Sequence, residues 1–407
     1  MELELSARVR ALAPSRTIAM NRLAQDLIAQ GQDIVDLTVG EPDFDTPEPI
    51  REAAKAAIDS GFTRYTAVSG YEELRAAVSR KLRRENGLDY SPESVLVSSG
   101  AKHSLTNAIF ALVDPGDEVL VPVPYWVSYA EEVRLAGGRV VALPTARERG
   151  YKLEPERLEA AITPLTKALV LCSPCNPSGA VYSASELLAL AEVLERHPRV
   201  WVVSDEVYEH IEYGAGHASP ASIPSLAGRC ALVNGVSKAY AMTGWRIGYL
   251  AGPLELVKAC AKLQGQMTSN ASSIAQRAAI AALDSDPAIV ASMVAEFRRR
   301  RDLSVEALSR IGGLSLLSPE GAFYLFPQVS GLPVWKAAPE GERSDAVSKY
   351  LLEKARVATV PGSAFGDDSS IRLSFASSEG RLREAYARIA SLLGPRESSL
   401  AKLTLRG

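Results

Sequence analysis

Residues 230–252 read CALVNGVSKAYAMTGWRIGYLAG, and the rest of the chain is best read outward from them. CALVNG and WRIGYLAG are strand-like apolar runs. The segment between them is too short for the helical crossover that joins parallel neighbours, so one strand here runs antiparallel. Lys238 is the only cation in this stretch before Arg246. An ammonium among small, aromatic and apolar residues loses hydration, which pulls its pKa toward neutrality and exposes a nucleophilic amine.

Upstream, β-branched runs recur as VLVS at 95–98, EVLVPV at 118–123, KALVLC at 167–172 and VWVVS at 200–204, with helical patterns between most of them. This alternation predicts an α/β domain built on a mainly parallel sheet, whose ligands gather at the C-terminal strand ends. Downstream, IVASMVAEFRRRRDLSVEALSRI predicts a long helix whose basic run, Arg298 to Arg301, forms a solvated face. LSLLSPEGAFYLFPQV, a helix near 345–355, RVATVPG and IRLSFAS predict a smaller α+β unit with its own sheet. The first 48 residues lack βα alternation and are expected to join that unit. The expected division is 49–290 for the large domain, and 1–48 with 291–407 for the small one.

A chain of 407 residues, 47% hydrophobic and 23% charged, can bury large cores. A formal charge of −3 and a pI near 6.0 give no electrostatic reason to expect nucleic acid or an anionic membrane as partner. No apolar run approaches the roughly 20 residues of a membrane span, and the N-terminus has no signal-peptide core, so a cytoplasmic location is expected. Four cysteines are too few for a disulfide framework. Cys172 and Cys175 form a C-x-x-C, a spacing that suits a redox pair or half a zinc site. No second close pair exists, His197 is not at ligand spacing, and two small side chains lining a packed strand end is the plainer reading.

Each strand end offers a chemical group with two readings. Gly100, Ala101 and Lys102 lie between a strand and a helix start, where free N–H groups and the helix dipole make an anion site or simply a helix start. The tract matches neither G-x-x-x-x-G-K-[ST] nor G-x-G-x-x-G. Tyr125 and Trp126, in PYWVSY, can stack on a flat ligand or fill the core. Asn176, in CSPCNPSG, can present its amide or serve a turn. Asp205 directly follows an apolar strand, with Tyr208 three residues on, and can meet a cation or cap a helix. Lys238 follows Ser237, and Arg246 has planar donors suited to a phosphate or carboxylate. One ligand would employ them all. Pyridoxal phosphate has a phosphate, a flat ring, a phenolic oxygen, a pyridine nitrogen that wants an anion, and an aldehyde that condenses with lysine.

SKAYAMTGWRIGY resembles the lysine signature of fold-type I, class I aminotransferases. DLTVGEPDFDTPEPI, RYT, DPGDEVLVPVPYWVSY, NPSGAVYS, SDEVYE, PEGAFY, VPGSAFG and IRLSFA resemble successive blocks of the bacterial aspartate aminotransferase subgroup across nearly the whole chain. The resemblance implies an α/β fold with a large, seven-stranded-type sheet domain and a small α+β domain. It also implies that Lys238 holds the cofactor as a Schiff base and then shuttles the proton at the substrate α-carbon. Asp205 keeps the pyridine nitrogen protonated, and Asn176 and Tyr208 donate to the phenolic oxygen. Trp126 stacks on the ring, while Gly100, Ala101, Ser237 and Arg246 hold the phosphate. Tyr65 reaches that phosphate from the other subunit, so a homodimer is implied.

On the substrate side, the resemblance gives Arg372 to the α-carboxylate, the Gly40 backbone to close approach, and Lys102 to the distal carboxylate. These imply L-aspartate and 2-oxoglutarate as substrates, with an aminotransferase for aromatic or other amino acids, or a β-lyase, as alternatives on the same cofactor residues. A non-catalytic sensor is the remote reading, because no helix-turn-helix segment is patterned in the first 48 residues. The chain departs from the subgroup's N-S-P-N-N-P-T-G, placing thiols where two amides are usual. Ala13 stands where members accepting prephenate carry a basic residue, so efficient prephenate transamination is not expected. Arg16 adds a cation in the segment expected to cover the site.

Overall fold

The computed structural model describes residues 5–10, 12 and 16–396. Its strands are β1 (Val35–Asp36), β2 (Val95–Ser98), β3 (Glu118–Val123), β4 (Arg139–Pro144), β5 (Thr166–Cys172), β6 (Trp201–Asp205), β7 (Cys230–Gly235), β8 (Gly248–Ala251), β9 (Tyr324–Leu325), β10 (Val357–Ala358), β11 (Val360–Pro361) and β12 (Ile371–Ser374). Seven of them form one sheet in the order β2-β8-β7-β6-β5-β3-β4. Only β8 runs against its neighbours, β2 and β7. The short link between CALVNG and WRIGYLAG therefore reverses the chain, as its length requires.

The central strands read as unbroken apolar runs because helices cover both faces of the sheet. Leu169, Leu171, Val202 and Leu232 enter one buried cluster, whereas Val170, Val203, Ala231 and Val233 enter another. Local signals start and stop the covering helices. Ser183 and Glu186 form a reciprocal capping box at the start of Ala184–Glu195, and Gly87 ends Glu72–Asn86 in a left-handed conformation.

A third cluster gathers Phe297, Phe323, Tyr324, Leu373 and Phe375 around the antiparallel sheet β11-β12-β9. The separate parallel pair β1-β10 places Val35 beside Val357. The basic run on the helix Pro287–Ser309 is solvated at Arg298 and Arg299, as expected, but not at Arg300. Arg300 is buried, donating to Asp43 at 2.6 Å and Glu296 at 2.7 Å while lying over Phe44. Paired carboxylates and an aromatic face offset its desolvation, and they tie this helix to the N-terminal segment. Among the described residues, no single helix is long and apolar enough to cross a membrane.

Candidate active site

A cavity of about 320 Å³ opens at the C-terminal ends of the parallel strands. Ala101 and Lys102 follow β2, Trp126 follows β3, Asn176 follows β5, Asp205 and Tyr208 sit at and after β6, and Ser237 and Lys238 follow β7. Arg246 lines it just before β8, Arg372 enters from β12, and Gly40 closes one side.

Lys238 Nζ donates to the Gly40 carbonyl at 2.6 Å. Lost hydration outweighs the attraction of Glu41, and the lysine pKa falls to about 8. This is the effect its apolar sequence neighbours predict. Asp205 is pushed the other way, up to about 6, again by burial. Hydrogen bonds limit that rise: Tyr129 Oη donates to Oδ2 at 2.6 Å and the Val207 N–H to Oδ1 at 3.3 Å. Asp205 is the last residue of β6 rather than a helix cap.

The anion site has a specific build. Gly100 precedes the helix Ala101–Leu112 at φ +90° and supplies no capping side chain. A Cβ there would lie 2.4 Å from Arg246 Nη2, so only glycine lets the guanidinium reach the helix start. Arg246 is itself left-handed at φ +57° and donates to the Thr243 carbonyl at 2.8 Å. Lys102 Nζ lies 4.8 Å over the Trp126 ring.

Arg372 is 2% exposed. It donates to Asn176 Oδ1 at 3.0 Å and to the Thr38 carbonyl at 2.8 Å, and rests against the faces of Tyr324 and Phe365. Among the described residues no carboxylate pairs with it, and its Nε is buried without a partner. A buried guanidinium without an anion is costly, so the cavity is built to receive one.

The expected site residues line this cavity except for Gly100, which abuts Arg246 at its edge, and Tyr65, which is 91% exposed and outside the lining. Arg16 lies outside the cavity lining, bonded to Asp345 and Ser363 at 2.6 Å each. Ala13 is outside the described residues. Sequence reasoning missed Tyr129 and also Tyr324, whose hydroxyl is 2.9 Å from that of Tyr208. Both sit in quoted motifs, PYWVSY and PEGAFY, but nothing local distinguishes them from core aromatics.

A larger cavity, about 720 Å³, is lined by Arg84, Glu209, His210, His217 and Arg298. Glu and His side chains cluster there at metal-ligand distances around Glu209. Lys81 already neutralises Glu209, whose second oxygen accepts from Asn86, so this cluster is a charge network. The smaller cavity is the one that gathers the expected site residues.

That cavity fits pyridoxal phosphate by its donor set: an amine of lowered pKa, a buried carboxylate, an amide beside a phenol, and a helix start approached by an arginine. The chain matches the family model described as aminotransferase class I and II over residues 32–389. It is 50% identical to an aspartate/prephenate aminotransferase of Cereibacter sphaeroides, covering 95% of this chain and 97% of that protein. It is 49% identical to a bifunctional aspartate aminotransferase and glutamate/aspartate-prephenate aminotransferase of Petunia hybrida, covering 97% and 83%. The crystal structure of the aspartate aminotransferase of Rhizobium meliloti superposes with a TM-score of 0.91 at 46% identity, covering 96% of this chain and 98% of that one. The Lys238 cavity, on a seven-stranded sheet shared with such enzymes, thus places this chain in the class I and II aminotransferase family, with the fold-type I architecture and a pyridoxal phosphate cofactor.

Proposed function

We propose that the protein transfers the amino group of L-aspartate to 2-oxoglutarate, releasing oxaloacetate and L-glutamate in two half-reactions. The observation that carries this reading is Arg372, a buried guanidinium without a carboxylate partner among the described residues, on the same cavity as the Lys238 amine. Pyridoxal phosphate, when bound, supplies an electron-accepting ring that stabilises negative charge at the substrate α-carbon.

The side chains divide the remaining work. Arg372 clamps the α-carboxylate with its planar donors, oriented by Asn176 Oδ1 and the Thr38 carbonyl. Lys238, with a pKa near 8, takes and returns the α-proton. Asp205, anionic at neutral pH and steadied by Tyr129, would hold a proton on the pyridine nitrogen of the bound cofactor. Asn176 and Tyr208 would donate to the cofactor's phenolic oxygen, and Trp126 would stack on its ring. Gly100, Ala101, Ser237 and Arg246 would hold the phosphate. Lys102, over Trp126, binds a distal carboxylate, which supports a dicarboxylic substrate over a purely aromatic one.

Tyr65, exposed in one chain, completes the phosphate site of a second, so the working form is a homodimer. The large and small domains divide as 49–290 and 1–48 with 291–407. Four unpaired cysteines support a reducing, cytoplasmic location. Steady-state kinetics test the reading: parallel double-reciprocal lines for aspartate and 2-oxoglutarate are expected, and failure to form oxaloacetate and glutamate would overturn the substrate assignment.

A further inference from the structure

The two thiols of the C-x-x-C take no part in the chemistry above, yet one lines its cavity and the other adjoins one of its residues. Cys172 ends β5, opposite Asp205 of β6, and lines the active-site cavity. Cys175 is bonded in sequence to Asn176, the amide that orients Arg372. Both sulfurs also line a second cavity of about 20 Å³, walled by Tyr125, Tyr129, Tyr151 and Tyr182. That volume admits one water-sized molecule.

Cys172 Sγ is 3.4 Å from the Pro174 carbonyl and Cys175 Sγ is 3.7 Å from the Pro124 carbonyl. The neighbouring Cys172 thiol and hydrogen bonds from Ser178 lower the Cys175 pKa, whereas the neighbouring Cys175 and burial raise that of Cys172. The pair is therefore unequal, with Cys175 the readier thiolate and nucleophile and Cys172 the thiol that keeps its proton. Cys230 and Cys260 are buried in the sheet's packing and lie on neither cavity.

We propose that Cys172 and Cys175 form a peroxide-oxidisable dithiol that closes to an intrachain disulfide and disables the Asn176 amide. The Cys175 thiolate attacks one oxygen of hydrogen peroxide. The O–O bond breaks, an S–O bond forms, and the departing hydroxide takes a proton to leave as water. Cys172 then attacks the resulting sulfenic sulfur, giving its own proton to the departing hydroxyl, so that an S–S bond forms and a second water leaves. Two thiols are oxidised by two electrons and one peroxide is reduced to two waters.

Closure brings the two sulfurs to about 2.05 Å. At least one of them must leave its carbonyl. The Cys175 backbone is bound to its own loop, its N–H to the Ala180 carbonyl at 2.9 Å and its carbonyl to the Gly179 N–H at 2.8 Å, so a shift of Cys175 carries Asn176 with it. Asn176 Oδ1 then withdraws from Arg372, and the α-carboxylate clamp loses its orientation.

The test treats cofactor-loaded enzyme with hydrogen peroxide, then blocks free thiols under denaturing conditions before digestion with trypsin. Residues 168–196 form one tryptic peptide carrying Cys172 and Cys175 and no other cysteine. The expected result is an unalkylated peptide lighter by two hydrogens, two of the four thiols lost, and activity lower by about tenfold or more, the cost of one charge-assisted hydrogen bond. Dithiothreitol restores all three, and Cys175→Ser shows none of these changes. Four thiols still titratable after activity has been lost, or sulfinic acid in place of the disulfide, would overturn the proposal. A disulfide without loss of activity would overturn the link to Asn176. The mass measurement requires no assumption about substrate, so its failure is distinguishable from failure of the aspartate reading.

Discussion

Tyr129 donates its hydroxyl to Asp205 Oδ2 at 2.6 Å across 76 residues of sequence, joining the helix Ser128–Leu135 to the end of β6. The bond opposes the effect of burial, which pushes the Asp205 pKa up to about 6. Tyr129→Phe removes it and leaves the carboxylate less stabilised, so the pKa rises further. Because Asp205 works as the anion, the acid limb of the kcat–pH profile moves to higher pH, and kcat near neutrality falls by about tenfold. An unmoved acid limb would separate Tyr129 from the function of Asp205.

Arg372→Lys retains charge but loses the planar donor pair. A single ammonium cannot hold both Asn176 Oδ1 and Thr38 O while clamping a carboxylate, so kcat/KM for aspartate drops by about a hundredfold, the loss of roughly two charged hydrogen bonds. Steady-state kinetics on the variant check this.

Lys102→Ser tests the distal carboxylate. The aspartate KM rises more than the phenylalanine KM, because only the first substrate loses an ion pair with the amine over Trp126. Equal rises would remove the structural support for a dicarboxylic substrate.

Gly100→Ala acts on the cofactor. The new Cβ meets Arg246 Nη2, and an alanine held at φ +90°, ψ 160° costs about 1–3 kcal/mol on its own. Dialysis followed by cofactor absorbance should show faster loss of pyridoxal phosphate than wild type.

Lys81→Met acts on stability at a distance from the cavity. Lys81 is 1% exposed and paired with Glu209, which also accepts from Asn234 at 2.7 Å. Burial alone would raise the Glu209 pKa, but Lys81, His210 and His217 hold it far below the ordinary carboxylate range. A depressed folded-state pKa stabilises the protein above the unfolded value of about 4.3 and is lost as pH falls below it. The variant strands a buried carboxylate and loses about 3–5 kcal/mol at neutral pH, read by urea denaturation, and Glu209→Gln in the same chain restores part of it.

The large sheet was legible because its central strands are buried on both faces and read as plain apolar runs. β4 escaped notice for the opposite reason: Arg139–Pro144 is an edge strand whose residues are mostly partly or fully exposed, so its run is no stronger than a loop's. In the C-terminal unit the strands β9, β10 and β11 have two residues each, too few to show a period. Lys238 stood out as a cation among apolar neighbours, and Asp205 as a carboxylate at a strand end. Arg372 gave no such signal, because an arginine in a strand looks the same whether its guanidinium meets water or a substrate. Tyr129 and Tyr324 were hidden likewise, since only the fold reveals which buried hydroxyls meet Asp205 and Tyr208. The burial of Arg300 depended on Asp43, 257 residues away.

The most direct test of the central claim is the absorption spectrum of the cofactor-loaded protein before and after L-aspartate is added with no keto acid present. The account predicts that the band of the lysine-bound cofactor gives way to that of pyridoxamine phosphate, and that 2-oxoglutarate restores the first band. A band unmoved by aspartate but shifted by another amino acid would contradict the substrate, and no cofactor band after added pyridoxal phosphate would contradict the assignment of Lys238 itself.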